Sequence, residues 1–144
     1  MQTFLPYENF VTSAACLDKK RCWKQVVEAA QIIDVLEGRK SGWKNHPAVK
    51  MWEGHTNELK FYFDTFLKIS KVKHGINTKY EYFKAEWTGN EPWWLGNEDF
   101  HRAMRARLIE KDKDFYLPLF PKDEGFHDSK YFWPVNESQT FRTI

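Results

Sequence analysis

Between Ala14 and Glu37 apolar residues recur with the period of a helix, but three polar residues share their arc. At about 100° per residue, with Arg21 set at zero, Gln25 falls at about 40° and Glu28 at about 340°. On the same scale Leu17 and Val35 fall at about 320°, Ile32 at about 20° and Leu36 at about 60°. The opposite side, roughly 160–260°, carries Lys19, Lys20, Asp34 and Glu37 and is the solvated one. Arg21, Gln25 and Glu28 therefore lie inside the apolar arc or at its edge. A carboxylate cannot be buried alone without a large desolvation cost, so Glu28 must be paired, protonated or open to a wet cleft. The spacing leaves two readings open. One is an intrahelical network, Arg21 with Gln25 and Lys24 with Glu28 at i,i+4. The other is a polar pocket lined by this helix, with Glu28 as its acid or base.

A second stripe, Ala48, Trp52, His55, Leu59, Tyr62, Phe63 and Phe66, predicts a second helix from Pro47 to about Lys73. His55 sits in the middle of that stripe. A lone histidine on an apolar face is most often a satisfied core residue, but the polar stripe next door offers it company. A cleft between the two helices is expected rather than a dry seam. A third helix, about Glu98 to Lys111, is expected behind Asn97 as its cap. Residues 1–13 read as a short extended arm containing Pro6. Gly38 ends the first helix, and "GRKSGWKNHP" reads as a loop carrying Arg39, Lys40, Lys44 and His46. Residues 76–96 are irregular, and the tail from Phe115 is expected to wrap the helices as loops and turns. Strand alternation is nowhere convincing. The expected fold is all-α, a single domain over residues 1–144, with three principal helices and an aromatic-rich loop tail.

Composition narrows the function classes. A chain of 144 residues suits one domain and can bury roughly 70% of its unfolded surface. Seven Trp and twelve Phe argue against disorder. No apolar run approaches the ~18 residues of a membrane span, and "MQTFLPYENF" lacks a basic leader. Cys16 and Cys22 lie six apart on the predicted helix and should stay unpaired, which fits a reducing cytosol. The net charge of +2 is low for a nucleic-acid binder but unevenly spread. Residues 1–75 carry 12 basic against 8 acidic side chains, and residues 76–144 carry 10 against 12. A phosphate-facing surface is expected mainly in the first half, with Arg102, Arg105 and Arg107 added. His46, His55, His74, His101 and His127 show no zinc spacing, so no metal is expected. There is no phosphate-cradling glycine loop and no nucleophile elbow. Trp43, Trp93–Trp94 and Phe132–Trp133 either stack on bases or close a small core.

Four segments add a resemblance: "LDKKRCWKQVVEAAQI", "HPAVKMWEGHTNELKFYF", "KHGIN" and "FHRAMRARLIEKDKDFYLPLF". In that order they resemble the first helix, the second helix, its end, and the last helix with its aromatic segment in the phage-type pyrimidine-dimer DNA glycosylases with abasic-site lyase activity. Glu28 falls on that family's catalytic glutamate, and Gly54-His55 on its Gly-His pair. The combination of "TFLPY", "LDKKRCWKQ" and "HPAVKMW" looks more like a divergent branch than like the repair enzymes themselves. In the family the nucleophile is the α-amine of an N-terminal threonine, exposed by removal of Met1. Here residue 2 is Gln, whose bulk hinders that removal, and Thr3 lies one place further in. The amine expected here is that of Met1 rather than Lys24, which lies one turn from Glu28 but needs a large downward pKa shift to be free at neutral pH. Two arginines that flank the family's glutamate are replaced by Val27 and Gln31, and Arg21 stands where the family has a histidine.

The resemblance implies a DNA N-glycosylase with lyase activity on damaged or modified pyrimidines, acting through Met1 and Glu28 with no cofactor. As a class, α-amines titrate at about 7.7–8.0 against about 10.4 for lysine, so they are the readier nucleophile at neutral pH. Attack at the sugar C1′ expels the base and leaves an imine. A neighbouring carboxylate stabilises the positive charge and moves protons during strand cleavage. The partner is then duplex DNA with a flipped base. Gln25, Gln31 and Asn45 are expected to read base edges. Arg21, Lys24 and Lys44 are expected to hold phosphate, with His46 and His55 completing the nucleic-acid surface. The alternative is a non-catalytic nucleic-acid or nucleotide-binding protein of phage type that keeps the pocket without the nucleophile. Gln2 and the low net charge point that way, whereas Glu28 in its apolar arc points to the enzyme. Either reading puts the protein in a phage or bacterial host cytosol, away from membranes.

Overall fold

The computed structural model, covering residues 1–144, divides the first predicted helix in two. Helix α1 spans Phe10–Cys16 and helix α2 spans Lys19–Leu36, with Leu17 extended between them. Asp18 causes the break. Its side chain accepts the Arg21 N–H, and it also accepts the Tyr116 hydroxyl, whose oxygen takes the Asp18 N–H at 3.0 Å. A carboxylate that caps in this way starts a new helix rather than continuing the old one. The predicted arm is accordingly shorter than 1–13, because Asn9 caps α1 through the Thr12 N–H. The second predicted helix is also two: α3, Pro47–Lys50, and α4, Thr56–Val72. Gly54 separates them at φ 80°, in the left-handed region that glycine tolerates. Helix α5, Glu98–Lys111, matches the expectation, and Asn97 caps it by accepting the Phe100 N–H at 3.0 Å.

The tail departs from the all-α reading. After the short helix α6, Lys113–Tyr116, and a 3₁₀ turn at Phe126–Ser129, the chain forms an antiparallel hairpin. Strand β1, Phe132–Val135, pairs with β2, Thr140–Thr143, with Phe132 opposite Thr143 and Val135 opposite Thr140. "FWPV" shows no polar alternation, and its proline reads against a strand. In a ribbon of two strands every strand is an edge, where proline is tolerated. The protein remains mostly helical, and no helix is long and apolar enough to cross a membrane.

Helices α2 and α4 form the main seam. Val26, Ala29 and Ile33 pack toward Leu59, Phe63 and Phe66 in one buried cluster that also takes Phe100, Met104 and Leu108 of α5. Each such large side chain contributes about 1.5–3 kcal/mol on burial. Both cysteines are free. Burial pushes the Cys16 thiol up to about 11 and raises that of Cys22, which also lies 3.4 Å from the Ser70 hydroxyl. Neither is a thiolate nucleophile near neutral pH.

Residues 2–5 are buried in the body without belonging to any helix or strand. Their backbone groups must find partners elsewhere, and they find side chains. Glu28 Oε2 accepts the Gln2 N–H at 3.0 Å, and Gln25 Oε1 accepts the Phe4 N–H at 2.8 Å. The Tyr62 hydroxyl lies 2.9 Å from both the Phe4 carbonyl and Gln25 Oε1. The Trp52 indole N–H donates to Thr3 Oγ1 at 3.1 Å. On α5, His101 and Arg105 stand one turn apart and reach the next two carbonyls, Leu5 at 2.8 Å and Pro6 at 2.7 Å.

His101 fixes its own tautomer. A carbonyl only accepts, so Nδ1 carries the proton toward Leu5, and Nε2 accepts the Gly96 N–H at 3.0 Å. Burial holds its pKa below the usual 6.5. Its stabilisation is complete above 6.5, where the unfolded chain's histidine is neutral too, and is lost as pH falls through the lowered folded value. Thermal unfolding of the protein and of His101→Gln between pH 7.5 and 5 tests this. The variant is expected to be less stable by about 1–3 kcal/mol at pH 7.5, and the gap is expected to narrow on acidification.

Candidate active site

The arm's path carries Met1 over the N-terminal half of α2, where a small cleft opens. Its volume is about 160 Å³, and Met1, Arg21, Lys24, Glu28, Lys111 and Tyr131 form most of its wall. Glu28 is the cleft's buried acid, with its side chain 12% exposed. One carboxylate oxygen holds the Gln2 N–H, and the other faces the Lys24 ammonium at 3.9 Å. The amine of residue 1 thus begins one residue from the Glu28 carboxylate. Gln25, beside it on α2, has its carboxamide oxygen occupied by Phe4 and Tyr62, which leaves its NH₂ as the unspent end. The Tyr62 hydroxyl is held protonated, well above its ordinary value, first by complete burial and then by the nearby Glu28 charge.

His46 lies outside the lining of that cleft. Its Nδ1 accepts the Ala48 N–H at 3.0 Å and caps α3, so the neutral ring carries its proton on Nε2. Burial lowers its pKa first, and the positive charge of the N-terminal amine lowers it further. The charge of the amine therefore reaches His46.

The other sequence candidates are distributed differently. Arg21 reaches the cleft, but its partners are the Asp18 carboxylate at 3.4 Å and the Lys111 carbonyl at 3.2 Å rather than Gln25. His55 does not join the Glu28 cleft. Its Nδ1 is 3.0 Å from the Asn90 carbonyl and 3.8 Å from the buried Glu58 carboxylate, at the start of α4. The kink at Gly54 turns it there, out of the stripe a continuous helix would have given it. Gln31 and Lys44 are exposed and outside the cleft. Asn45 lines a separate hollow of about 250 Å³ against the hairpin, with Lys50 and Arg142. Arg39 is neutralised by Asp34 and Glu37, both at 2.7 Å. No group of three or more His, Cys, Asp or Glu is arranged to hold a metal ion.

Lys20, Lys111 and Tyr131 enter the cleft without a local sequence signal. Lys20 falls on the side of the helix read as solvated, and the other two arrive through the last turn of α5 and the tail. A larger hollow of about 490 Å³, walled by Phe10, Phe61 and Trp87, has two carboxylates, Glu8 and Glu91, as its only charged lining groups. It is electrostatically wrong for phosphate.

A family model described as pyrimidine dimer DNA glycosylase matches residues 1–81. No curated protein and no solved structure matches the chain. The matched span contains the arm, α2, α3 and α4, hence Met1, Gln25, Glu28 and Tyr62 together. His101, Arg105, Lys111 and Tyr131 come from outside it. The match covers more than half of the 144 residues, and the chain belongs to the pyrimidine dimer DNA glycosylase family.

Proposed function

We propose that the protein is a DNA N-glycosylase with abasic-site lyase activity, in which the Met1 amine is the nucleophile and Glu28 moves the protons. The observation that supports this reading is the hydrogen bond from the Gln2 N–H to Glu28 Oε2, which leaves the amine one residue from the buried acid of a cation-lined cleft. The unprotonated amine attacks C1′ of a deoxynucleotide turned out of the duplex. The C1′–N bond to the base breaks, and the base leaves with a proton. Opening of the sugar ring gives a protonated imine between the amine and C1′. The Glu28 carboxylate stabilises that charge at short range, then takes a proton from C2′, and the 3′ phosphate leaves. Water finally releases the amine. The Gln25 NH₂ is suited to a base carbonyl, and Lys20, Lys24 and Lys111 are suited to the flanking phosphates.

Trapping with borohydride tests this. On duplexes containing either an ultraviolet-induced pyrimidine dimer or an abasic site, reduction is expected to give a covalent protein–DNA adduct that peptide mapping assigns to residue 1. Glu28→Gln is near-isosteric and still accepts the Gln2 N–H, so it is expected to stay folded while turnover drops by about 10²–10⁴-fold. No adduct on either substrate, with tight binding retained, would instead support a non-catalytic nucleic-acid binder. Turnover unchanged in Glu28→Gln would remove the carboxylate from the mechanism.

Binding is expected to be strongly salt-dependent. The log–log slope of affinity against salt should change by about 0.9 for each phosphate contact removed from duplex DNA. The double variant Lys24→Gln/Lys111→Gln is therefore expected to show a shallower slope than the wild type, whereas Arg39→Gln, whose charge is already neutralised within the protein, is expected to leave the slope nearly unchanged. Fluorescence anisotropy over a salt series reads both.

A further inference from the structure

We propose that Trp43 is a wedge that stacks into the duplex at the position vacated by the extruded nucleotide, an inference that rests on the glycosylase reading above. Trp43 is 64% exposed, the most exposed of the seven tryptophans. It also has φ 69°, a left-handed conformation that a bulky side chain rarely adopts. In the free protein the residue gains neither burial nor relaxed backbone. Strain of this kind persists where surrounding structure enforces it, and it concentrates at sites that act on something else. Here the His46 N–H donates to the Trp43 carbonyl at 2.8 Å and holds the turn.

The surroundings suit DNA. Residues 39–45 are all exposed, and Lys40 and Lys44 flank the indole without an ion-pair partner in the protein. The loop's root is tied to the end of α2, where the Arg39 guanidinium bonds Asp34 and Glu37. The indole is also tied to the cleft. A row of rings runs from Trp43 to His46 at 5.7 Å, to Trp133 at 5.8 Å and to Tyr131 at 5.3 Å, and Tyr131 lines the same cleft as Glu28. His46 is the ring that feels the amine's charge. An aromatic side chain inserted between base steps replaces the stacking lost on extrusion and holds the gap open. The two lysines supply the phosphate contacts that a tip of this kind needs on either side.

The test compares wild type, Trp43→Ala and Trp43→Phe for affinity to two duplexes, one undamaged and one with a tetrahydrofuran abasic analogue. The analogue has no C1′ leaving group and forms no imine, so this readout is independent of the amine. Trp43→Ala is expected to lose about 5- to 150-fold in affinity for the analogue duplex, the range of one aromatic–base stack. Its affinity for undamaged duplex is expected to stay nearly unchanged, and Trp43→Phe is expected to retain most of the preference. Far-UV circular dichroism should be the same for all three, because the side chain lies outside the core. Equal affinity of wild type and Trp43→Ala for the analogue would overturn the wedge, as would an equal loss on both duplexes, which would make Trp43 a general contact. Absence of borohydride adducts from wild type on a natural abasic site overturns the enzyme reading separately and leaves the stacking measurement standing.

Discussion

The structure depends on one constraint: an extended segment buried in the body must satisfy its backbone without a neighbouring strand. Net, each hydrogen bond contributes only about 0.5–1.5 kcal/mol, but a buried donor or acceptor left without a partner costs about 1–3 kcal/mol. The helices meet this with polar side chains placed where core residues would otherwise stand. Gln25 and Glu28 on α2 take the Gln2 and Phe4 N–H groups, and Tyr62, His101 and Arg105 take three successive carbonyls. Arg105 is itself neutralised by Asp123 at 2.8 Å and Glu98 at 2.8 Å, so its charge is compensated where it is buried. The polar stripe inside an apolar arc is therefore a docking strip for the arm, and the cleft exists because the arm ends over it.

Two buried carboxylates show how position separates structure from chemistry. Glu58 is enclosed. It accepts the Asn57 amide and the Thr88 hydroxyl, both at 3.0 Å, and in doing so ties the irregular segment to the start of α4. Glu28 has the same burial logic on one oxygen only. Its other oxygen looks into the cleft toward an ammonium 3.9 Å away that is itself largely solvated. A carboxylate with one oxygen clamped and the other free is oriented but not exhausted, which is the condition an acid–base group needs. On the proposed reading the same hydrogen bond that closes the fold also aligns the reacting groups.

Much of this was legible in the sequence, and the limits have physical causes. The angular position of Glu28 located the buried acid, since periodicity reports which face of a helix is turned inward. The Asn97 cap and the span of α5 were legible because capping is local. The breaks at Asp18 and Gly54 were missed because a continuous apolar stripe looks the same whether or not the helix is interrupted. Asp18 is held by Tyr116, 98 residues away, and no local pattern shows that. The second break has a signal, Gly54, and a helix continued through it puts His55 on the wrong surface. The hairpin was hidden because "FWPV" carries proline and no polar face. Lys111 and Tyr131 reach the cleft only through tertiary folding, and the arm's clamps on α5 read in sequence as an unremarkable histidine and a generic arginine.

The clamps on the arm are spread along the chain at sequence separations from 21 to 99 residues. No subset of neighbouring helices completes them. Contacts that remote carry a chain-closure cost that contacts within one helix do not. Docking the arm therefore needs α2, α4 and α5 in place together. A molecule with its helices packed and its first six residues undocked has nearly the full helical signal and none of the arrangement that sets an amine against Glu28. On the proposed reading, helix content and competence for chemistry are separate properties of this chain, and a preparation can have the first in full while only a fraction of it has the second.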